Sequence, residues 1–132
     1  MPDIDWQLLE KTAIAAMESA YAPYSKFTVA SCICTDKDNL YTGVNVENGS
    51  YGLTSCAEAS AICTMVGSGE KSIKSIVVLA GTDQLCPPCG SCRQKIFEFS
   101  IPETMVYLCN KNTILHSVRI DELLPFAFDF KP

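Results

Sequence analysis

Apolar positions along the chain alternate between two periods. From Asp3 to about Ala20, the residues Ile4, Leu8, Leu9, Ile14 and Met17 recur at helical spacing among alanines. Asp3 or Asp5 stands where a cap is expected, and Ala22-Pro23 ends the helix. Phe27 to Thr35 and Leu40 to Val46 are β-branched and apolar runs on either side of Asp36-Lys37-Asp38-Asn39, which predicts an antiparallel hairpin. Glu47 to Thr54, with Asn48, Gly49 and Gly52, reads as a loop. Ser55 can cap a helix to about Val66, where Gly67-Ser68-Gly69 stops it. Ile73 to Ala80 predicts a buried strand, and Gly81 to Pro88 a loop. Helical spacing returns from Cys89 to about Phe99 through Cys92 and Ile96. Thr104 to Cys109 and Ile114 to Val118 predict strands, and Ile120 to Leu124 a turn or two of helix before Pro125.

The order is helix, hairpin, helix, strand, helix, strand, strand. It predicts an α/β fold with right-handed crossovers and a mixed five-stranded sheet between helical layers, a three-layer α-β-α sandwich. The 132 residues fit one domain over 1–132, large enough for a core that needs no disulfides. A hydrophobic fraction of 48% and a charged fraction of 19% are those of an ordinary globular chain.

Charge narrows the partners. A net charge of −5, with scattered basic residues, disfavours nucleic acid, because binding phosphate backbones needs clustered Lys and Arg. No apolar run approaches the ~20 residues that span a bilayer, so no membrane role is expected. The acidic opening Met1-Pro2-Asp3-Ile4-Asp5 does not resemble a secretory signal. The expected location is therefore cytoplasmic, where eight cysteines point to metal binding or catalysis rather than disulfides.

Two segments carry the candidate chemistry. Cys56-Ala57-Glu58 opens one expected helix, and Pro88-Cys89-Gly90-Ser91-Cys92 opens another. A Cys-x-x-Cys on a first helical turn sets two sulfurs on one side, and a third thiolate from another helix start leaves the fourth position of a zinc ion open to water. Such an opening marks a catalytic site rather than a structural one. Helix N-termini favour thiolates through the backbone dipole. Three thiolates still leave a zinc centre negative, and Arg93 is the nearby candidate for compensating charge. Glu58, two residues past the first ligand, is placed to move protons without ligating the ion.

These motifs, with Arg93-Gln94 after the second, resemble the signature of the zinc deaminases, whose established pattern includes a three-cysteine variant and a non-ligand Glu. More narrowly, the chain resembles the small, all-cysteine branch of the cytidine deaminases. Tyr21 to Phe27 resembles that family's opening segment, Asn45-Val46-Glu47-Asn48 its sugar-binding motif, and Glu122-Leu123-Leu124-Pro125 its closing one. The resemblance implies one Zn²⁺ per chain on Cys56, Cys89 and Cys92, Glu58 as the proton carrier, and a free cytidine or 2′-deoxycytidine substrate. It further implies sugar contacts from Asn45 and Glu47, a base flanked by Phe27, and a base edge read by the backbone around Ala57. A homotetramer is implied too, with Tyr24, Tyr51 and Phe128 at subunit contacts reaching neighbouring sites. Two departures stand out. Ala59 follows the Cys-Ala-Glu where many members carry Arg, and Val29-Ala30-Ser31-Cys32 replaces the usual Val-Gly-Ala-Ala.

Other readings of the same residues remain open at this level. Cys32, Cys34, Cys63, Cys86 and Cys109 are expected as buried small hydrophobes. Cys86 is also able to close a four-cysteine structural zinc, or to pair with Cys89 across Pro87-Pro88 as a redox couple. Asn45 and Glu47 fit the end of a strand, Phe27 fits a core, and His116 fits a structural strand position. A deaminase of another cytosine-bearing compound, such as blasticidin S, shares the metal motifs. A non-enzymatic zinc module needs only the cysteines.

Overall fold

The computed structural model describes residues 6–130, so the expected caps Asp3 and Asp5 lie outside the described residues. Helix α1 spans Trp6–Met17, and strands β1 (Val29–Thr35) and β2 (Leu40–Val44) form the expected hairpin. A 3₁₀ turn over Tyr51–Leu53 occupies the expected loop. Helix α2 (Ala57–Gly67), strand β3 (Ile73–Ala80), helix α3 (Gly90–Glu98), strands β4 (Ser100–Cys109) and β5 (Ile114–Arg119), and the short helix α4 (Ile120–Leu123) complete the order.

The strands form one mixed five-stranded sheet in the order β2-β1-β3-β4-β5. Only β3 and β4 run parallel, because α3 carries the chain back between them; the other neighbours are antiparallel. Both faces of the sheet are covered. Ala30, Cys32, Cys34, Val77 and Leu79 pack toward α1, while Ile33, Ile76 and Val78 pack in a separate cluster with Ala61, Ile62 and Met65 of α2 and Ile96 of α3. Burial on two faces explains why the central strands read as continuous apolar runs rather than alternating ones. No helix among the described residues is long and apolar enough to cross a membrane.

Several boundaries differ from expectation for local reasons. Strand β1 starts at Val29 rather than Phe27 because the Asn45 side chain replaces a strand partner there. Its Nδ2 donates to Phe27 O at 2.8 Å, and its Oδ1 accepts from Val29 N at 3.0 Å. Strand β4 begins four residues early, at Ser100, and a register shift opposite Ile73 to Ser75 takes in Pro102, which has no N–H to donate. Ser55 does not cap α2. It is held in an extended bridge by reciprocal 2.9 Å bonds with Val46, and Cys56 is the cap instead.

The cysteine expectations divide. Cys32, Cys34 and Cys109 are buried, and burial pushes the thiols of Cys32 and Cys109 up to about 12, so both stay neutral. Cys63 is a correction. It is exposed, because the buried stripe of α2 runs through Ala57, Glu58, Ala61, Ile62 and Met65 and leaves position 63 facing outward. Cys86 is half-buried in a cleft rather than in the core.

Gly43 decides where α2 sits. A β-carbon there would overlap the backbone nitrogen of Ala61 and the carbonyl oxygen of Ala57, and would lie 2.8 Å from the Ser60 carbonyl carbon. These are backbone atoms, which cannot rotate aside. Gly43→Ala is therefore expected to destabilise the fold by about 1–3 kcal/mol, the range for overpacking. Because it pushes on the first turn of α2, it is also expected to weaken zinc binding by the purified chain. A denaturant midpoint and a chelator titration check the two effects. Unchanged values in both would show that the helix shifts freely.

Candidate active site

Cys56 and Cys89 are the caps of α2 and α3, in extended conformations (φ −76°, ψ 155° and φ −67°, ψ 167°), and the Cys56 thiol does not cap its own helix. Each cap instead offers its carbonyl to the first helical bond, from Ser60 N at 3.0 Å and Arg93 N at 2.9 Å. The sulfurs are left free to face one another. Cys92, three residues into the second motif, is fully buried. The sulfurs of Cys56, Cys89 and Cys92 all lie within 4.8 Å of one another. Two segments 33 residues apart in sequence, Cys56 to Cys89, thus converge on one point.

The electrostatics suit a cation. Burial pushes the Cys56 thiol up, and it does the same to Cys92, where the Glu58 charge adds to it. Cys89 is also desolvated, yet hydrogen bonds from the Cys92 backbone and from the neighbouring thiols outweigh burial and hold it below the usual thiol range. Cys89 is the most readily deprotonated of the three donors, and a divalent ion at the centre would draw the other two down. Three soft donors at two helix starts fit zinc.

Glu58 is 4% exposed, in the first turn of α2. Desolvation raises its carboxyl above the usual range, opposed by its own backbone N–H, by Cys92 and by the charge of Lys95 on α3. It lines a cleft of about 210 Å³ together with Cys56, Cys89, Ala57, Asn45 and Cys86. Among the described residues Cys86 is outside the group of converging sulfurs, so the four-cysteine arrangement is not formed. Cys86 is instead a wall of the cleft, and burial, with the Glu58 charge adding to it, raises its thiol.

The remaining sequence candidates take various places. Asn45 lines the cleft with its amide bonded to the backbone as above. Glu47 is buried. Its carboxylate accepts from Tyr24 N at 3.0 Å, Ser25 N at 3.1 Å and the Ser25 hydroxyl, and the hydroxyl above all holds it below the usual range. Phe27 lines an adjoining cavity with Thr82 to Cys86, and Cys86 stands between that cavity and the cleft. Arg93, expected beside the thiolates, directs Nε to Pro88 O at 2.8 Å and Nη1 to Leu123 O at 3.0 Å. Tyr24, Tyr51 and Phe128 are exposed, as is His116 on β5.

A family model described as the cytidine and deoxycytidylate deaminase zinc-binding region matches residues 5–108, a span that contains both cysteine motifs. The chain belongs to this family. It is 42% identical over 125 residues to a cytidine deaminase of Halalkalibacterium halodurans, covering 95% of each chain. Its fold matches the crystal structure of a cytidine deaminase from Burkholderia pseudomallei with a TM-score of 0.88 and 37% identity, covering 95% of this chain and all of that one. A cytidine deaminase from Mycobacterium tuberculosis matches at 0.85 and 35%, covering 97% of this chain and all of that one. Membership in a zinc-binding enzyme family agrees with the donor set formed by the three cysteines, and the redox and non-enzymatic readings lose their support. What sequence reasoning missed in this deaminase site is the cleft position of Cys86, the charge of Lys95 and the close approach at Gly43. Only the first had a visible signal, its place in Cys86-Pro87-Pro88-Cys89.

Proposed function

We propose that the chain hydrolyses cytidine and 2′-deoxycytidine to uridine and 2′-deoxyuridine with release of ammonia, as part of pyrimidine salvage in the cytoplasm. The observation that carries this reading is a triad of sulfurs within 4.8 Å of one another, with a buried carboxylate outside that donor group on the same small cleft. Cys56, Cys89 and Cys92 hold one zinc ion per chain. When bound, zinc lowers the pKa of water at its open position and so supplies a nucleophile at neutral pH.

The protein's own groups do the rest. Glu58 takes the proton that water gives up and holds it at ring N3 as oxygen adds to C4. A second transfer to the exocyclic nitrogen then lets ammonia leave, so water and cytidine become uridine and ammonia. Its raised pKa suits a group that must both accept and return protons near neutrality. The Ala57 backbone, on the wall of the cleft, reads the base edge. Asn45 and Glu47 hold the sugar. The Glu47 Oε2 atom accepts one bond, from the Ser25 hydroxyl, and keeps an acceptor position for a sugar hydroxyl. Phe27 flanks the base from the adjoining cavity. Exposed Tyr24, Tyr51 and Phe128 are surfaces that a homotetramer would cover.

The test is a zinc-loaded sample incubated with cytidine, 2′-deoxycytidine, CMP, cytosine and blasticidin S, with ammonia as the readout. Ammonia is expected from the two nucleosides and is abolished by a chelator. Release from blasticidin S alone, or from no compound while zinc is bound one per chain, would overturn the reading.

A further inference from the structure

Arg93 and Gln94 follow the ligand Cys92 directly, and both reach the end of the chain. Arg93 joins Pro88, which precedes the ligand Cys89, to Leu123, the last residue of α4. Gln94 Nε2 donates to Phe128 O at 2.9 Å. Two consecutive residues of the metal helix thus grip both ends of the segment 123–128.

Inside that segment Phe126 has φ +53°, a left-handed conformation costly for a bulky side chain. Its ring is fully exposed, so packing does not hold the backbone in this shape. The bonds at Leu123 and Phe128 flank it on either side.

We infer that Arg93 is a positioning residue which, with Gln94, joins the metal loop and the C-terminal segment into one unit, so that zinc binding and the seating of residues 123–128 favour each other. The inference rests on the metal site proposed above. Its thermodynamic content is reciprocity: whatever zinc contributes to seating the segment, seating contributes to zinc affinity. A guanidinium suits the task because its planar fork donates in two directions at once, whereas an ammonium on a flexible stem is a point charge. A counter-charge to the thiolates would survive replacement by lysine; a two-carbonyl clamp would not.

The experiment compares the full-length wild-type chain with Arg93→Lys by competition with a zinc chelator, and wild-type hydrogen exchange over residues 120–128 with and without zinc. Arg93→Lys is expected to bind zinc about 10–100-fold more weakly, the usual effect of losing a group that orients metal ligands. Stripping zinc is expected to speed exchange across the segment. Wild-type affinity in Arg93→Lys, or exchange indifferent to zinc, overturns the inference. Should Arg93→Lys fail to fold, the wild-type exchange comparison decides alone. A wild-type chain that takes up no zinc overturns both this inference and the metal site beneath it.

Discussion

Glu58→Ala retains one zinc per chain and loses cytidine deamination by at least about 10²–10⁴-fold in kcat, the range that one positioned acid–base group supplies. The upper part of the range is expected, because the same carboxylate serves both the proton placed at N3 and the proton delivered to the leaving nitrogen. Zinc stays because, among the described residues, the converging donors are the three sulfurs and do not include Glu58. Stability is not expected to fall. In the metal-free chain, burial raises the Glu58 pKa above its unfolded value of about 4.3, so the folded state favours the protonated form. Its penalty is absent below the unfolded pKa, grows as pH rises toward the folded pKa, and is fully present above it. Removing the group at a pH above its unfolded pKa therefore removes that penalty. Steady-state kinetics, zinc content and a thermal midpoint measured together check the prediction. Near-wild-type turnover in a zinc-loaded Glu58→Ala sample would remove the carboxylate from the mechanism.

Cys89→Ala is expected to abolish stoichiometric zinc binding and activity together. It is the informative ligand to remove, because Cys89 is the exposed member of the triad and its side chain fills no core space. Cys92 is fully buried, and its loss would mix metal release with a packing defect. Two remaining sulfurs cannot surround a zinc ion, and among the described residues Cys86 lies outside the converging group. The apolar clusters on both faces of the sheet do not include Cys89, so the apo variant should still fold. A ligand that binds only the folded state stabilises it by mass action, about 2.7 kcal/mol at a hundred times its Kd. Added zinc should accordingly raise the thermal midpoint of the wild-type chain and leave that of Cys89→Ala unmoved. A variant that keeps one tightly held zinc would show that the triad is not the metal site.

The two motifs were readable from local spacing because each is a helix start. Cys56 and Glu58 share a first turn by their offset alone, as Cys89 and Cys92 do. The strands were readable as apolar runs, and their ends less so, since Asn45 and Pro102 act across strands rather than along them. Arg93 shows the limit most clearly. Its neighbour in sequence is a thiolate, which suggests a counter-charge, yet its hydrogen bonds go to a loop and to a helix thirty residues away.

The amino-acid order alone determined the elements, the three sulfur donors and the carboxylate, because helical and extended periods and motif spacing are properties of short windows. Tertiary structure decided that the two helix starts meet, that Gly43 lets α2 approach the sheet, and that Cys86 faces the cleft instead of the core. Each of these depends on backbone atoms brought together from distant positions, and steric contact between such atoms leaves no periodic trace along the chain.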